Sequence, residues 1–531
     1  MSESERCFTD ACAILSVGAS MKEGEVMDLD HDACYRAIKA KDARFDGVFY
    51  TAVKSTGIYC RPVCKVPTPK SVNCTFYKSA AQAEVNGYRP CLRCRPELAP
   101  NYSEFGQGKE LFKAILNYFE AHNYEPGIVK ECANDLGINP RHLNRVFHTE
   151  AGVSPKEYIM TKRLLRAKAL LTDTHLSITE IALMVGFGSV SRCNAALKKR
   201  YKLTPSEIRK EYKSKMNQDA VTVRLFYRPP YDWDYMLKFF KLRAVPGIER
   251  VTDNGVYQRS LSVSANGKSY TGWIEVKPVA KQHRVDVRIG SGLENAVVQV
   301  IALVRKVFDL DAVPEKLPKD LPDGLRLPGC FNIFEMSVRA ILGQQITVKA
   351  ATTIAGRVVR ELGQEVTTPW KEINLVFPEA TRIIGLGENV YEVLGNLGVI
   401  HSKTESILSL ANGIHRGDIT FTEKVEAFRQ KLLVLKGIGP WTAEYLSMRG
   451  LSWPDAFPVT DVAIKKGLVS FLTDEKGVKL IKRRDLSPYK INKLYEKQAI
   501  NFSKKYQPWR SYLTLALWRG EELRIKMEVK E

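Results

Sequence analysis

The sequence predicts a multidomain α+β chain: a small cysteine-bearing α/β domain, an all-α domain, a small antiparallel α/β domain, and a second all-α domain. Three observations carry this reading. Two close cysteine pairs, Cys60/Cys64 and Cys91/Cys94, fall within the first hundred residues, and no cysteine lies beyond Cys330. Two helix, glycine-turn, helix patterns follow, one turning at Gly137 and one at Gly186. Alternating apolar runs at 221–227, 256–263, 272–276 and 283–289 then give way to helical periodicity that continues to the end. A length of 531 residues requires several domains.

The totals narrow the partner. Hydrophobic residues make up 44% of the chain, enough for proper cores, while the formal net charge is +21. That surplus favours a polyanion, nucleic acid first, over a merely basic surface. No apolar run reaches the ~18 residues of a membrane span. The opening Met1–Arg6 carries no signal-peptide pattern. A cytoplasmic location follows as the expectation, with the 11 cysteines serving metal or thiol chemistry rather than disulfides.

Taken in order, residues 1–28 read as a loose tail containing Cys7 and Cys12. From 29 to 100 the chain reads as a compact domain, with a strand over 48–53. C-x3-C at Cys60 and Cys64, followed by C-x2-C at Cys91 and Cys94, suits tetrahedral zinc held by four sulfurs. Cys34 and Cys74 read as small buried hydrophobes. The wording T-G-I-Y-C-R-P-V-C, then Y-R-P-C-L-R-C, resembles the N-terminal domain of the Ada proteins of the bacterial response to alkylation. The resemblance implies that Cys60 accepts a methyl group from a methylated DNA phosphate, once per protein, while Cys64, Cys91 and Cys94 complete the zinc shell. Where that family commonly carries an arginine three residues after the second cysteine, this chain has Pro67, leaving Lys65 or Lys70 to stand in.

Residues 101–212 carry the two helix-turn-helix patterns, bridged by a basic helix over Pro155–Leu171. With the closing Tyr201-Lys-Leu-Thr-Pro-Ser206, they resemble the AraC-type DNA-binding domain. The second helix of each unit is then expected in a major groove. It would present Asn139, Arg141, His142, Asn144 and Arg145 in the first unit, and Ser189, Ser191, Arg192 and Asn194 in the second. His142 reads equally well as a solvated surface residue.

A polar linker at Lys213–Asp219 leads into the strand-rich segment 219–315. Its Tyr227–Trp233 and Arg243–Glu249 stretches resemble the small domain that begins AlkA-type glycosylases. In 316–525 the decisive stretch is Leu435-Lys-Gly437-Ile-Gly439-Pro-Trp441-Thr-Ala443, with Asp461 twenty residues beyond Trp441. Two glycines around one apolar residue suit a tight hairpin whose amides, at the start of a helix, favour a phosphate. This resembles the helix-hairpin-helix DNA glycosylase superfamily.

The resemblance implies that Asp461 stabilises the sugar cation formed as a base leaves. Its plain alternative is an N-cap of the helix Val462–Leu468, and Asp455 is its neighbour rival. Trp441 stands where strand-cutting relatives carry a Schiff-base lysine, so hydrolysis without lyase activity is expected. The absence of cysteine beyond Cys330 excludes the iron–sulfur branch. By the same resemblance Trp441, Tyr445 and Trp518 line the pocket for a flipped alkylated base. Gln345 takes the place, just after I-L-G-Q, where the family has its intercalating residue, often leucine.

The fold class in full is therefore a zinc α/β domain, an all-α double helix-turn-helix domain, a small antiparallel α/β domain and an all-α helix-hairpin-helix glycosylase domain. The expected function is alkylation repair and response. It combines release of 3-methyladenine-type bases, methyl-phosphotriester acceptance at Cys60, and promoter binding for transcriptional activation. Zn(2+) is the expected cofactor and double-stranded DNA the partner, alkylated and promoter alike. Contact with the transcription machinery, a monomeric state and nucleoid association in a bacterial cytoplasm are expected as well. No P-C-H-R motif occurs, so O6-alkylguanine repair is not expected. The alternative is a transcription regulator whose glycosylase half serves only as a DNA-binding platform.

Overall fold

The computed structural model describes residues 29–101, 110–122, 124–210, 220–265, 267–420, 424–468 and 488–519. The expected tail, with Cys7 and Cys12, and the expected linker 213–219 lie outside them. The chain forms two compact units, 1–229 with 281–286, and 230–280 with 287–531.

In the first unit, helix α1 (His31–Ala40) packs on a sheet of β1 (Tyr50–Val53), β2 (Ile58–Cys60), β3 (Cys74–Tyr77) and β4 (Arg89–Pro90), ordered β3-β1-β2-β4. Strands β1–β2 and β1–β3 are antiparallel, and β2–β4 is parallel. Cys34 and Cys74 are buried in the core between α1 and the sheet, beside Phe45, Val48 and Phe49.

The short helix α2 (Ala80–Val85) leads on to the helical part: α3 (Glu110–Ala121), α4 (Ile128–Asp135), α5 (Pro140–Ala151), α6 (Pro155–Asp173), α7 (Ile178–Met184), α8 (Val190–Tyr201) and α9 (Pro205–Lys210). The helix starts are written in the sequence. Asn139 and Ser189 cap α5 and α8, and Ser154–Glu157 and Ser177–Glu180 form reciprocal capping boxes on α6 and α7. Ala81 of α2 joins the core of Ile115, Phe119, Leu143 and Phe147, so the cysteine-bearing part and the helices share packing. Strand β5 (Ala220–Phe226) packs near α6.

In the second unit, α10 (Trp233–Arg243) accompanies β6 (Glu249–Val251), β7 (Tyr257–Ala265), β8 (Lys268–Val279) and, from Val287 on, β9 (Arg284–Gly290). The antiparallel β7–β8 hairpin runs in register from Tyr257↔Val276 to Ala265↔Lys268. Helices follow: α11 (Val297–Val307), α12 (Ile333–Leu342), α13 (Val348–Leu362), then, past the small strand pair β10 (Gln364–Glu365) and β11 (Leu375–Val376), α14 (Ala380–Ile384), α15 (Val390–Asn396), α16 (His401–His415), α17 (Val425–Leu433), α18 (Pro440–Arg449), α19 (Val462–Leu468), α20 (Pro488–Ser503) and α21 (Arg510–Arg519). Their core gathers Ile341, Val359, Leu410, Phe428, Leu432 and Leu446, with Ile438 of the glycine hairpin inserted into it. Burying that one side chain fixes the hairpin against the bundle while Gly437 stays exposed.

Candidate functional site

The thiolate site is assembled by the parallel pairing of β2 with β4. Tyr59 lies opposite Pro90, so Cys60 and Cys91 emerge side by side, and the Cys91 amide donates to the Tyr59 carbonyl at 2.9 Å. Tight turns then return Cys64 and Cys94 to the same spot. All four sulfurs lie within 4.8 Å of one another, a donor set and spacing that fit one zinc ion. The Arg61 amide donates to Cys94 Sγ at 3.3 Å.

Residues beside the ligands tie the site into the unit. The buried Arg61 guanidinium clamps Asp46, with Nε to Oδ1 at 2.8 Å, donates to the Cys94 carbonyl at 3.1 Å, and lies 4.2 Å from the Phe226 ring centroid. Arg95 donates to both oxygens of Asp173 on α6 at 2.7 Å and to Glu97 at 2.9 Å, while Lys168 of α6 also holds Glu97 at 2.6 Å. Glu84 on α2 accepts four hydrogen bonds. Tyr59 and Tyr201 hydroxyls reach Oε1, both at 3.0 Å, and Thr161 at 2.9 Å and Arg200 at 3.2 Å reach Oε2. Burial still pushes its carboxyl above the usual carboxylate range. These ties join the cysteine site to α6 and to the end of α8. Sequence reasoning missed Arg61, Glu84 and Arg95 because their partners are remote in sequence. Lys65 and Lys70 are exposed.

On the expected groove-facing helices, Arg141, Asn144 and Arg145 of α5 and Ser191 and Arg192 of α8 are exposed. Asn144 spends its amide on the Pro140 carbonyl at 2.8 Å, and Arg145 contacts His142 Nδ1 at 2.9 Å. Asn139 and Ser189 are occupied as caps, accepting from the Arg141 and Arg192 amides. This commits their side chains to the backbone, a role that competes with base contact.

In the second unit the hairpin places its glycines differently from each other. Gly437 has φ +79, and a Cβ there would meet Ser406 Oγ at 2.0 Å. Gly439 caps α18 at φ −95 and ψ 177, which any residue adopts, with nothing near its Cβ position. The expectation that both glycines serve backbone freedom is thus corrected: Gly437 does, whereas Gly439 leaves open space at a helix start.

Asp461 sits at the head of α19, where it caps the helix and also accepts from two indoles. Oδ1 accepts from the amides of Ala463 at 2.9 Å and Ile464 at 3.2 Å, the N-cap geometry, and from Trp518 Nε1 at 3.0 Å. Oδ2 accepts from Trp441 Nε1 at 2.9 Å. All four partners are donors, the complement of an ionised carboxylate. Tyr445 stacks on Trp441, ring centroids 5.1 Å apart and planes 9° apart, and lies 6.1 Å from Trp518. The three expected pocket aromatics therefore surround the expected carboxylate. The buried Arg449 donates to the Tyr445 hydroxyl at 3.0 Å and to the carbonyls of Pro328 and Gly329, a contact no sequence signal announced. Asp455 is taken by Arg510, bidentate at 2.7 Å, and is an ion-pair partner. Gln345 is exposed on the loop between α12 and α13, at φ +61.

A four-thiolate zinc module, a double helix-turn-helix and a base-excision glycosylase fold on one chain define the class: a DNA-repair enzyme joined to a DNA-binding regulator. Family models agree segment by segment. The metal binding domain of Ada matches residues 33–97, a helix-turn-helix domain 132–211, the AlkA N-terminal domain 222–332, and the HhH-GPD superfamily of base excision DNA repair proteins 338–484. The chain is 30% identical over 508 residues to a probable bifunctional transcriptional activator/DNA repair enzyme AlkA of Mycobacterium tuberculosis, covering 92% of this chain and 96% of that one. It is 31% identical to DNA-3-methyladenine glycosylase 2 of Escherichia coli over 56% of this chain and 96% of that one. It is 32% identical to the AdaA bifunctional activator/repair enzyme of Bacillus subtilis over 34% and 82%. The chain belongs to the family of bifunctional AlkA/Ada transcriptional activator/DNA repair enzymes, with zinc as its metal. Among the described residues, no helix is long and apolar enough to cross a membrane.

Proposed function

We propose that the second unit hydrolyses the N-glycosidic bond of 3-methyladenine-type bases in DNA and leaves an abasic site. The observation that carries this reading is the Asp461 carboxylate held by two indoles and two amides inside the Trp441, Tyr445 and Trp518 cluster. The hairpin and the first-turn amides of α18 grip a backbone phosphate. Gln345 fills the gap left by the extruded nucleotide. The aromatic faces stack on the alkylated ring and attract its positive charge. As the C1′–N bond breaks, its electron pair goes to the base and the sugar becomes cationic. Asp461 faces that charge and orients the water that adds to C1′, giving free base, a hydroxyl at C1′ and one proton released to solvent. Trp441 offers no amine, so no Schiff base forms and the strand stays intact.

In the first unit, Cys60 Sγ attacks the methyl carbon of a phosphotriester. The S–C bond forms as the C–O bond breaks, and the phosphate leaves as the diester anion. Bound zinc keeps the sulfurs deprotonated. Arg61 and Asp46 fix the Cys60 turn, and Lys65 and Lys70 meet the phosphates. Arg141, Asn144, Arg145, Ser191 and Arg192 contact promoter DNA, through which the monomeric protein activates transcription.

The test is base release from methylated duplex DNA, followed by chromatography of the free bases. Wild type should release 3-methyladenine, and Asp461→Asn should release none while still binding DNA. Equal release by the two proteins would sink the assignment. No release by a folded, DNA-binding wild type would favour the platform reading.

A further inference from the structure

The loop that carries Gln345 is braced from two sides. Helix α12 ends at Leu342, and the loop runs to Thr347, the N-cap of α13. Residues 345–349 are exposed, and Gln345 is a non-glycine residue at φ +61. An exposed loop does not hold such a backbone by itself, because the left-handed region is disfavoured for a residue with a Cβ. Here Lys403, in the first turn of α16, donates its ammonium to the carbonyls on either side of Gly343: Leu342 at 2.8 Å and Gln344 at 2.9 Å. The second of these carbonyls belongs to the peptide that leads into Gln345. Gln344 in turn extends Nε2 to the Gly437 carbonyl at 3.0 Å and to Thr442 Oγ1 at 3.2 Å. The first turns of α16 also meet the hairpin directly. Lys436 pairs with Glu405 at 2.9 Å, and Ser406 Oγ occupies the space a Gly437 side chain would need.

We propose that Lys403 and Gln344 are positioning residues that lock Gln345 in its projecting conformation and couple it to the phosphate-gripping hairpin, so that grip and wedge enter the duplex as one rigid body. Lys403 acts in this scheme through the two backbone carbonyls that its ammonium holds, not through a phosphate. Its loss frees the C-terminal end of α12 and lets Gln345 relax out of the left-handed region. The grip survives, but the wedge arrives misplaced. This inference rests on the reading of Gln345 as the residue that replaces the extruded base.

The experiment uses the full-length protein and a duplex with 2-aminopurine beside an abasic analogue, with fluorescence reporting base opening and anisotropy reporting affinity. Single-turnover release from methylated duplex gives the rate. Lys403→Met should cut the fluorescence rise and slow single-turnover release about tenfold, the scale of a small misplacement at a reacting centre, with affinity nearly unchanged. Lys403→Arg, which keeps donors for both carbonyls, should restore both. Gln344→Ala should fall with Lys403→Met, and tryptophan emission confirms that each variant is folded. If Gln345→Ala loses opening while Lys403→Met and Gln344→Ala keep it, the bracing role is refuted. If Gln345→Ala itself opens the duplex normally, the wedge reading beneath it fails instead.

Discussion

Glu84 offers the sharpest test of how the first unit is held together. Its carboxylate serves two deeply buried tyrosines, Tyr59 and Tyr201, together with Thr161 and Arg200. Glu84→Ala strips all four of an acceptor. Arg200 and Thr161 can fall back on each other, being already 3.0 Å apart, but among the described residues the two phenols reach no acceptor besides Glu84. Leaving two or three buried donors unpaired, at about 1–3 kcal/mol each, and removing one partner from a buried charged network, gives a loss of roughly 3–5 kcal/mol. For a unit of this size that is a fall of roughly 10 °C in midpoint. The assay exploits a feature of the composition: all 7 tryptophans lie at or beyond Trp233, in the second unit. Tryptophan emission therefore reports on the second unit, while hydrogen exchange of α8 amides reports on the first. Glu84→Ala should lower the α8 transition and leave the tryptophan transition in place. An unchanged α8 transition would show that the carboxylate is dispensable, and the reasoning would be wrong.

Other expectations follow from the same geometry. Chelation should remove one zinc per chain and collapse protection in the first unit without moving the tryptophan transition; metal analysis and hydrogen exchange read both. Gly437→Ala should destabilise the hairpin by about 1–2 kcal/mol, since φ is +79 and Ser406 Oγ blocks the Cβ, whereas Gly439→Ala should change stability by less than about 0.5 kcal/mol. Any loss of DNA affinity in the folded Gly439→Ala protein would then report on phosphate approach. Burial alone would raise the Glu97 carboxyl, but Lys168 and Arg95 more than reverse it, so its folded value lies below the ordinary one. A depressed carboxyl stabilises above the unfolded value of about 4.3 and loses that contribution as pH falls through the folded value. Acid unfolding of the first unit should accordingly begin below about pH 4, and Glu97→Gln should flatten that slope.

What the sequence made legible is what short covalent spacing dictates. C-x3-C and C-x2-C return two sulfurs to one point whatever surrounds them, so the metal ligands could be read directly. The helix caps at Asn139, Ser154, Ser177 and Ser189 also close within three residues, yet Asn139 and Ser189 read from the sequence as groove-facing side chains and only the structure shows them as caps. Asp461 was legible through its spacing from the hairpin, yet the choice between N-cap and chemical group was not. In the structure Oδ1 accepts from the helix start and Oδ2 from an indole twenty residues away, so the cap leaves the second oxygen to the aromatic cluster. Its rival Asp455, disfavoured by the motif, is held by Arg510, 55 residues on. Polar groups whose partners are remote were invisible: Arg95 with Asp173 across 78 residues, Glu84 with Tyr201 across 117, Gln344 with Gly437 across 93. Such pairs leave no periodic trace, because a polar group drawn out of water needs only one complementary partner at the right place and the fold alone decides which residue supplies it. The consequence is specific to this chain. The residues proposed to do chemistry stand in short motifs, while those proposed to hold them in register, Glu84 for the first unit and Lys403 for the second, are ordinary charged residues whose contacts exist only in three dimensions.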